Sequence, residues 1–280
     1  MLFELVRVHR GRLFTAYCLT ASGMIAALLY PLATGFAING VLAGEHEAVL
    51  WLVGCHAAQL MLTVASKRYD TRVFTRIYGA LAASVVARSR ADGLEPARVA
   101  ARVALSREYT VFLEEDVPRV LYAFIALAVS LSALVFLEPL LALACLALGV
   151  PLLLVGGWLG RRSSVLNKGL NNRLENEVRL LSNGNESRVR RHFQALAGWR
   201  IKLSDAEATA FGLMEMLVIV LFVVALWQVG TAQEKPQAGD VFAMFSYLWR
   251  FVESLDQAPI LIQKTAKLRD LDRRLASANA

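Results

Sequence analysis

LLALACLALGVPLLLVGGWL, residues 140–159, runs for twenty residues without a single charge. As a helix it rises about 30 Å, the thickness of a bilayer's hydrocarbon core. A soluble domain would have to bury such a segment on every side. The chain instead repeats the pattern at residues 13–38, 48–66, 117–137, 211–229 and 241–262. Six blocks of this length predict six membrane crossings. The balance of residues agrees: 56% are hydrophobic and 19% charged, with a mean hydropathy of +0.48, against about 25% charged in soluble domains.

The excess of seven positive charges could indicate a nucleic-acid partner, but the distribution of charge excludes that reading. With six crossings the connections alternate between two sides. One side, formed by residues 1–12, 67–119, 161–205 and 264–280, carries 28 of the 30 Lys and Arg. The opposite side has only Lys235, and Arg250 lies inside the last block. Such asymmetry is the positive-inside pattern, which places both termini in the cytoplasm. A bacterial-type inner (plasma) membrane is the expected location, with the lipid bilayer as the first partner.

The outer connections are short, whereas the inner ones, 67–116 and 161–205, are long and helical in pattern. Val73, Ile77 and Leu81, with Val85 or Val86, share one face of the first. Val165, Leu170, Leu174, Val178 and Leu181 share one face of the second. Each is interrupted once, by DGLEP at 92–96 and SNGNES at 182–187, residues that stop a helix and turn the chain. Each inner connection is therefore expected to be a helix down, a turn and a helix back. Residues 1–12, basic and amphipathic, read as an interfacial helix.

This all-α, polytopic arrangement resembles the transmembrane domain of an ATP-binding cassette (ABC) exporter of the six-helix type. LLSNGNESRVRRHF, residues 180–193, is loosely similar to that family's Leu-x-x-Gly-(x)4-Lys-x-Phe region, with Val189, Arg190 and Phe193 at its aliphatic, basic and aromatic positions. The resemblance implies a homodimer, or a heterodimer with a paralogous half, in which spans four and five cross to the other subunit around a central cavity. It also implies hairpin tips that dock nucleotide-binding domains. Ser89, Asp92, Gly93, Glu95 and Pro96 would form one tip, and Asn183, Gly184, Glu186, Arg188 and Arg190 the other.

No phosphate loop is present, since no Gly is followed by Lys anywhere in the chain. LSNGNE at 181–186 only superficially resembles the Leu-Ser-Gly-Gly-Gln signature. The chain is therefore expected not to be an enzyme and to bind no cofactor, with ATP acting only through a partner subunit. The four His are scattered, so no metal site is expected, and Cys18, Cys55 and Cys145 read as buried thiols.

Six intramembrane groups stand out, because an ionisable side chain in a span costs about 2.5–3.5 kcal/mol on insertion scales. Arg250, Glu253 and Asp256 follow one another at three-residue steps in the last block. Arg250 is expected roughly 16 Å below Gly239, near the midplane, and paired with Glu253. Either the pair lines a translocation path or it locks helix packing; Asp256 lies in the path or in cytoplasmic water. Glu215 in the fifth block, and His56 with Gln59 in the second, complete the set. The expected function is a permease moving a small molecule, ion or peptide by alternating access, energised by a separate ATP-binding cassette subunit. The alternatives are a cassette-free carrier with protons as the coupling ion, similar to peptide transporters that keep an exporter-like domain, and a non-transporting membrane scaffold.

Overall fold

The computed structural model describes residues 2–175, 177, 185–232 and 236–256, with side chains from Val8 onward except those of Glu175 and Asp256. Among them there is no strand. The helices are α1 (Leu2–Leu28), α2 (Tyr30–Leu42), α3 (Ala48–Ala91), α4 (Pro96–Val111), α5 (Val117–Leu137), α6 (Pro139–Glu175), α7 (Glu186–Thr231) and α8 (Ala238–Asp256), with a π turn, Phe112–Asp116, between α4 and α5. Five continuous helical stretches are long and apolar enough to cross a membrane. The sixth, α8, is described over 19 residues and carries Asp240, Arg250, Glu253 and Asp256. Those charges lower its apolarity below that of the other five.

The chain divides into two compact units. One contains α1–α5 and α8, and the other contains α6 and α7. In the first unit, α3 spans 44 residues, about 66 Å of helix, twice a bilayer core. Its second half must therefore leave the membrane. There Val73, Phe74, Ile77, Leu81 and Val85 form a buried stripe that packs with Leu13, Tyr109, Phe112 and Leu113. Each such side chain contributes about 1.5–3 kcal/mol by burial. The predicted apolar face is thus real, and the turn falls at Asp92–Glu95 between α3 and α4. Gly93, at φ +66°, ends α3 in the left-handed conformation that glycine adopts without strain.

Leu13 belongs to this hairpin core, and Thr20 lies level with Ser66 and Asp70, where the charges of α3 begin. Thr20 thus stands where α3 changes from apolar to charged. From there to Leu42 the helix rises about 33 Å, enough for one crossing. The uncharged block was longer than the bilayer, and its excess packs against α3. Residues 2–12 continue α1 without a break.

Two prolines shape this unit. Pro31 interrupts the first crossing between α1 and α2 because it lacks an N–H and its ring crowds the preceding turn. The exposed helix backbone is repaired from α8: the buried Tyr247 hydroxyl donates to the Leu28 carbonyl at 2.8 Å. Pro118 acts similarly at the start of α5. Val117 N–H bonds back to Phe112 C=O, a π-type step, so Leu113 C=O would next need the N–H of residue 118. Proline has none. The Tyr17 hydroxyl supplies the missing donor, at 2.9 Å from the Leu113 carbonyl.

In the second unit, α6 and α7 approach closely where Trp199 covers Gly169, whose added Cβ would lie 2.7 Å from the indole. Lys202 rests over the same ring at 5.4 Å. The expected apolar face is out of phase here. Val165 and Leu174 are exposed while Ser163 and Leu166 are buried, because a residue step of 100° turns a narrow two-helix seam away from neighbours along the sequence. Val178 and Leu181 lie outside the described residues. Of the three thiols, Cys145 is buried, Cys55 is half-buried and Cys18 is exposed, contrary to the expectation for the last.

Candidate functional site

α8 has two sharply different faces. Ala243, Met244, Tyr247, Leu248, Phe251 and Val252 are buried, and the helix packs along α2 and α5. Phe242, Ser246, Trp249, Arg250 and Glu253 are open and fall within an arc of about 100° at 3.6 residues per turn. On this arc Arg250 Nη1 donates to Glu253 Oε2 at 2.9 Å and to the Tyr122 hydroxyl of α5 at 3.4 Å. Both charged side chains are 41% exposed. Tyr122 is five residues into α5, about 7.5 Å from its inner end. The pair is therefore held beside the second turn of α5, a level that depends on where α8 starts relative to its neighbours.

That starting level is set by a cluster the sequence did not reveal. At the outer end of α8, Asn39 Oδ1 accepts the Gly239 N–H at 2.7 Å while its Nδ2 donates to Asp240 Oδ1 at 3.0 Å. One side chain from α2 thereby satisfies a free amide at the helix N-terminus and holds its first-turn carboxylate. Gly35 and Gly239 sit backbone to backbone: a Cβ on either would collide with the other's carbonyl oxygen. A Gly and an Asn two hundred residues apart carry no local signal of this contact.

The remaining candidates are dispersed. His56 is exposed on α3, its ring 5.8 Å from Tyr30, beside a groove of about 400 Å³ lined by Tyr30, Leu52, Val53, His56, Ala57 and Leu60. Gln59 is half-buried one turn on. Glu215 is exposed on α7, in the other unit. Asp256 is the last residue of α8, and its side chain lies outside the described residues.

At the first hairpin tip, Asp92, Gly93, Glu95 and Pro96 are exposed. Arg102 of α4 reaches Asp92 at 3.7 Å. Ser89 departs from expectation: it is fully buried, and its carbonyl accepts the Leu94 N–H at 3.1 Å, so it closes the turn and offers no surface. At the second tip, Asn183 and Gly184 lie outside the described residues, whereas Glu186, Arg188 and Arg190 are exposed on the first turns of α7. Asn185 caps that helix, its Oδ1 accepting Arg188 N–H at 3.1 Å. Behind this tip, buried His192 places Nε2 3.7 Å from Glu177.

A second polar cluster was hidden among the charges of α3. Thr20 Oγ1 and Ser66 Oγ lie 3.0 and 2.9 Å from Asp70 Oδ2 and 2.8 Å from each other. Asp70 Oδ1 is sealed from solvent with no hydrogen-bond partner among the described residues. Asp70 stands beyond the apolar part of α3, and burial raises its carboxyl pKa despite the two hydroxyls that lower it. Glu114, exposed in the π turn, is also raised, by desolvation and then by the charges of Glu115 and Asp70.

The profile of the ABC transporter transmembrane region family matches residues 2–239. No curated protein matches the chain at a significant level.

Proposed function

Since the chain belongs to the ABC transporter transmembrane region family, we propose that it is a permease domain that moves a solute past the open face of α8 by alternating access. Nucleotide hydrolysis is supplied by a nucleotide-binding partner docked at the hairpin tips. The observation that carries this reading is the Arg250–Glu253 pair, half-exposed on a helix whose opposite face is packed. Lipid cannot satisfy such groups, so this face requires water or a solute beside it. With Phe242 and Trp249 flanking Ser246, Arg250 and Glu253, the arc suits a solute with an apolar body and a polar or charged group. The exposed acidic Asp92 and Glu95 at one tip and the basic Arg188 and Arg190 at the other provide charged surfaces for the partner.

The test is water access. Ser246→Cys and Trp249→Cys in proteoliposomes should react with a water-soluble maleimide, because thiolates form only where water reaches, and Val220→Cys should be the unreactive lipid-facing comparison. Equal protection of all three would refute the wet path. Addition of a nucleotide-binding partner and ATP should change the Ser246→Cys rate. A change driven instead by a pH gradient alone would favour the proton-coupled carrier, and no response to either would favour the scaffold.

A further inference from the structure

We propose that Asp70 holds a proton at the level where α3 leaves the bilayer, as a proton-binding site separate from the Arg250–Glu253 pair. The inference starts from counting protons. Asp70 Oδ2, Thr20 Oγ1 and Ser66 Oγ form a triangle whose three sides, 2.8, 2.9 and 3.0 Å, are all hydrogen-bond distances. Two hydroxyls carry two protons, which fill two sides. A protonated carboxyl supplies the third and closes the ring, each oxygen donating once and accepting once.

The other carboxyl oxygen gives the same answer. An ionised Asp70 would leave charge on Oδ1, which is closed to solvent and meets no donor among the described residues. A buried charge without a partner is far costlier than a buried neutral carbonyl. Among the described residues no ion pair reaches it. On α3 itself, Lys67, Arg68 and Arg72 are exposed, with Arg72 reaching the Arg68 carbonyl. On α4, Arg107 and Glu108 are exposed. From α1, the Tyr17 hydroxyl proton is committed to Leu113 C=O, and Glu114 of the π turn is acidic and exposed. Glu115 and Asp116 are engaged by Arg119.

The position gives the proton a mechanical role. The ring joins α1 to α3 at the level where α3 leaves the bilayer, so losing the proton leaves one side of the triangle without a hydrogen bond. This holds whichever energy source drives transport.

The test uses the full chain in liposomes and needs no variant for its first reading. Dicyclohexylcarbodiimide is apolar and adds to protonated carboxyls: the acid proton passes to a carbodiimide nitrogen and the carboxyl oxygen bonds its central carbon. Peptide mapping should find Asp70 modified at neutral pH at least tenfold more than Glu115, with modification falling as the pH rises. An infrared titration should show a protonated-carboxyl C=O band at neutral pH that is absent in Asp70→Asn. Failure of both the adduct and the band at neutral pH would overturn the proposal. So would protection of Asp70 by sodium when choline gives none, since a cation, not a proton, would then occupy Oδ1.

Discussion

Gly239→Ala tests the contact that sets the level of α8. An added Cβ would overlap the Gly35 carbonyl oxygen and lie 2.6 Å from Asn39 Oδ1, the acceptor of the Gly239 N–H. Both obstacles are backbone or backbone-bonded, so neither can rotate away. The outer ends of α2 and α8 must separate, which costs about 1–3 kcal/mol of overpacking strain. Losing the Asn39 bond adds about 0.5–1.5 kcal/mol. Opposing these, Ala is better than Gly in a helix by about 0.5–1 kcal/mol, leaving a net loss of about 0.5–4 kcal/mol. At roughly 2–4 °C per kcal/mol for a chain of this class, the expected fall in Tm is about 1–16 °C. Thermal unfolding followed by size-exclusion fluorescence in mild detergent measures it. Gly79→Ala is the paired comparison: it is helical, with nothing within 4 Å of an added Cβ, and should hold or raise Tm. If both variants shift Tm alike, the close crossing does not exist in the protein.

Tyr247→Phe removes the donor to a buried Leu28 carbonyl and should cost about 1–3 kcal/mol, read as a lowered Tm. Glu253→Gln separates two roles for its pair. In a hydrated path the loss is about 1 kcal/mol or less, whereas a sealed packing pair would lose about 3–5 kcal/mol, so a collapse in Tm would refute the open face. Asp70→Asn should flatten part of the pH dependence of Tm. Because burial raises this carboxyl in the folded state, its ionised form destabilises at high pH and stability returns as pH falls through the folded pKa toward the unfolded value of about 4. The variant should therefore match or exceed the parent in alkali and lose that advantage in acid. The opposite order would show an Asp70 stabilised by ionisation.

The crossings, the sidedness of charge and the first hairpin turn could be read from residue order, because each depends on local quantities: an apolar length against bilayer thickness, the side on which cations collect, and Gly-Pro chemistry at 92–96. The Arg250–Glu253 pair was legible for the same reason, being one helical turn apart on one chain segment. Its depth was not, since that depends on Asn39 and Gly35 meeting Gly239 from a different helix.

The limits of local reading are clearest at Asp70 and Leu13. Among Lys67, Arg68 and Arg72, Asp70 looks like one more solvated charge, and Leu13 in an uncharged run looks like membrane. Only the axial register and rotation of α1 against α3 brings Thr20 and Ser66 onto the carboxylate and carries Leu13 into the hairpin core. Residue order alone thus determined that the chain enters lipid, since transfer from water to hydrocarbon is additive over neighbouring residues. The tertiary structure alone decided which polar groups meet, because hydrogen bonds require atoms of separate helices to match within a few tenths of an ångström.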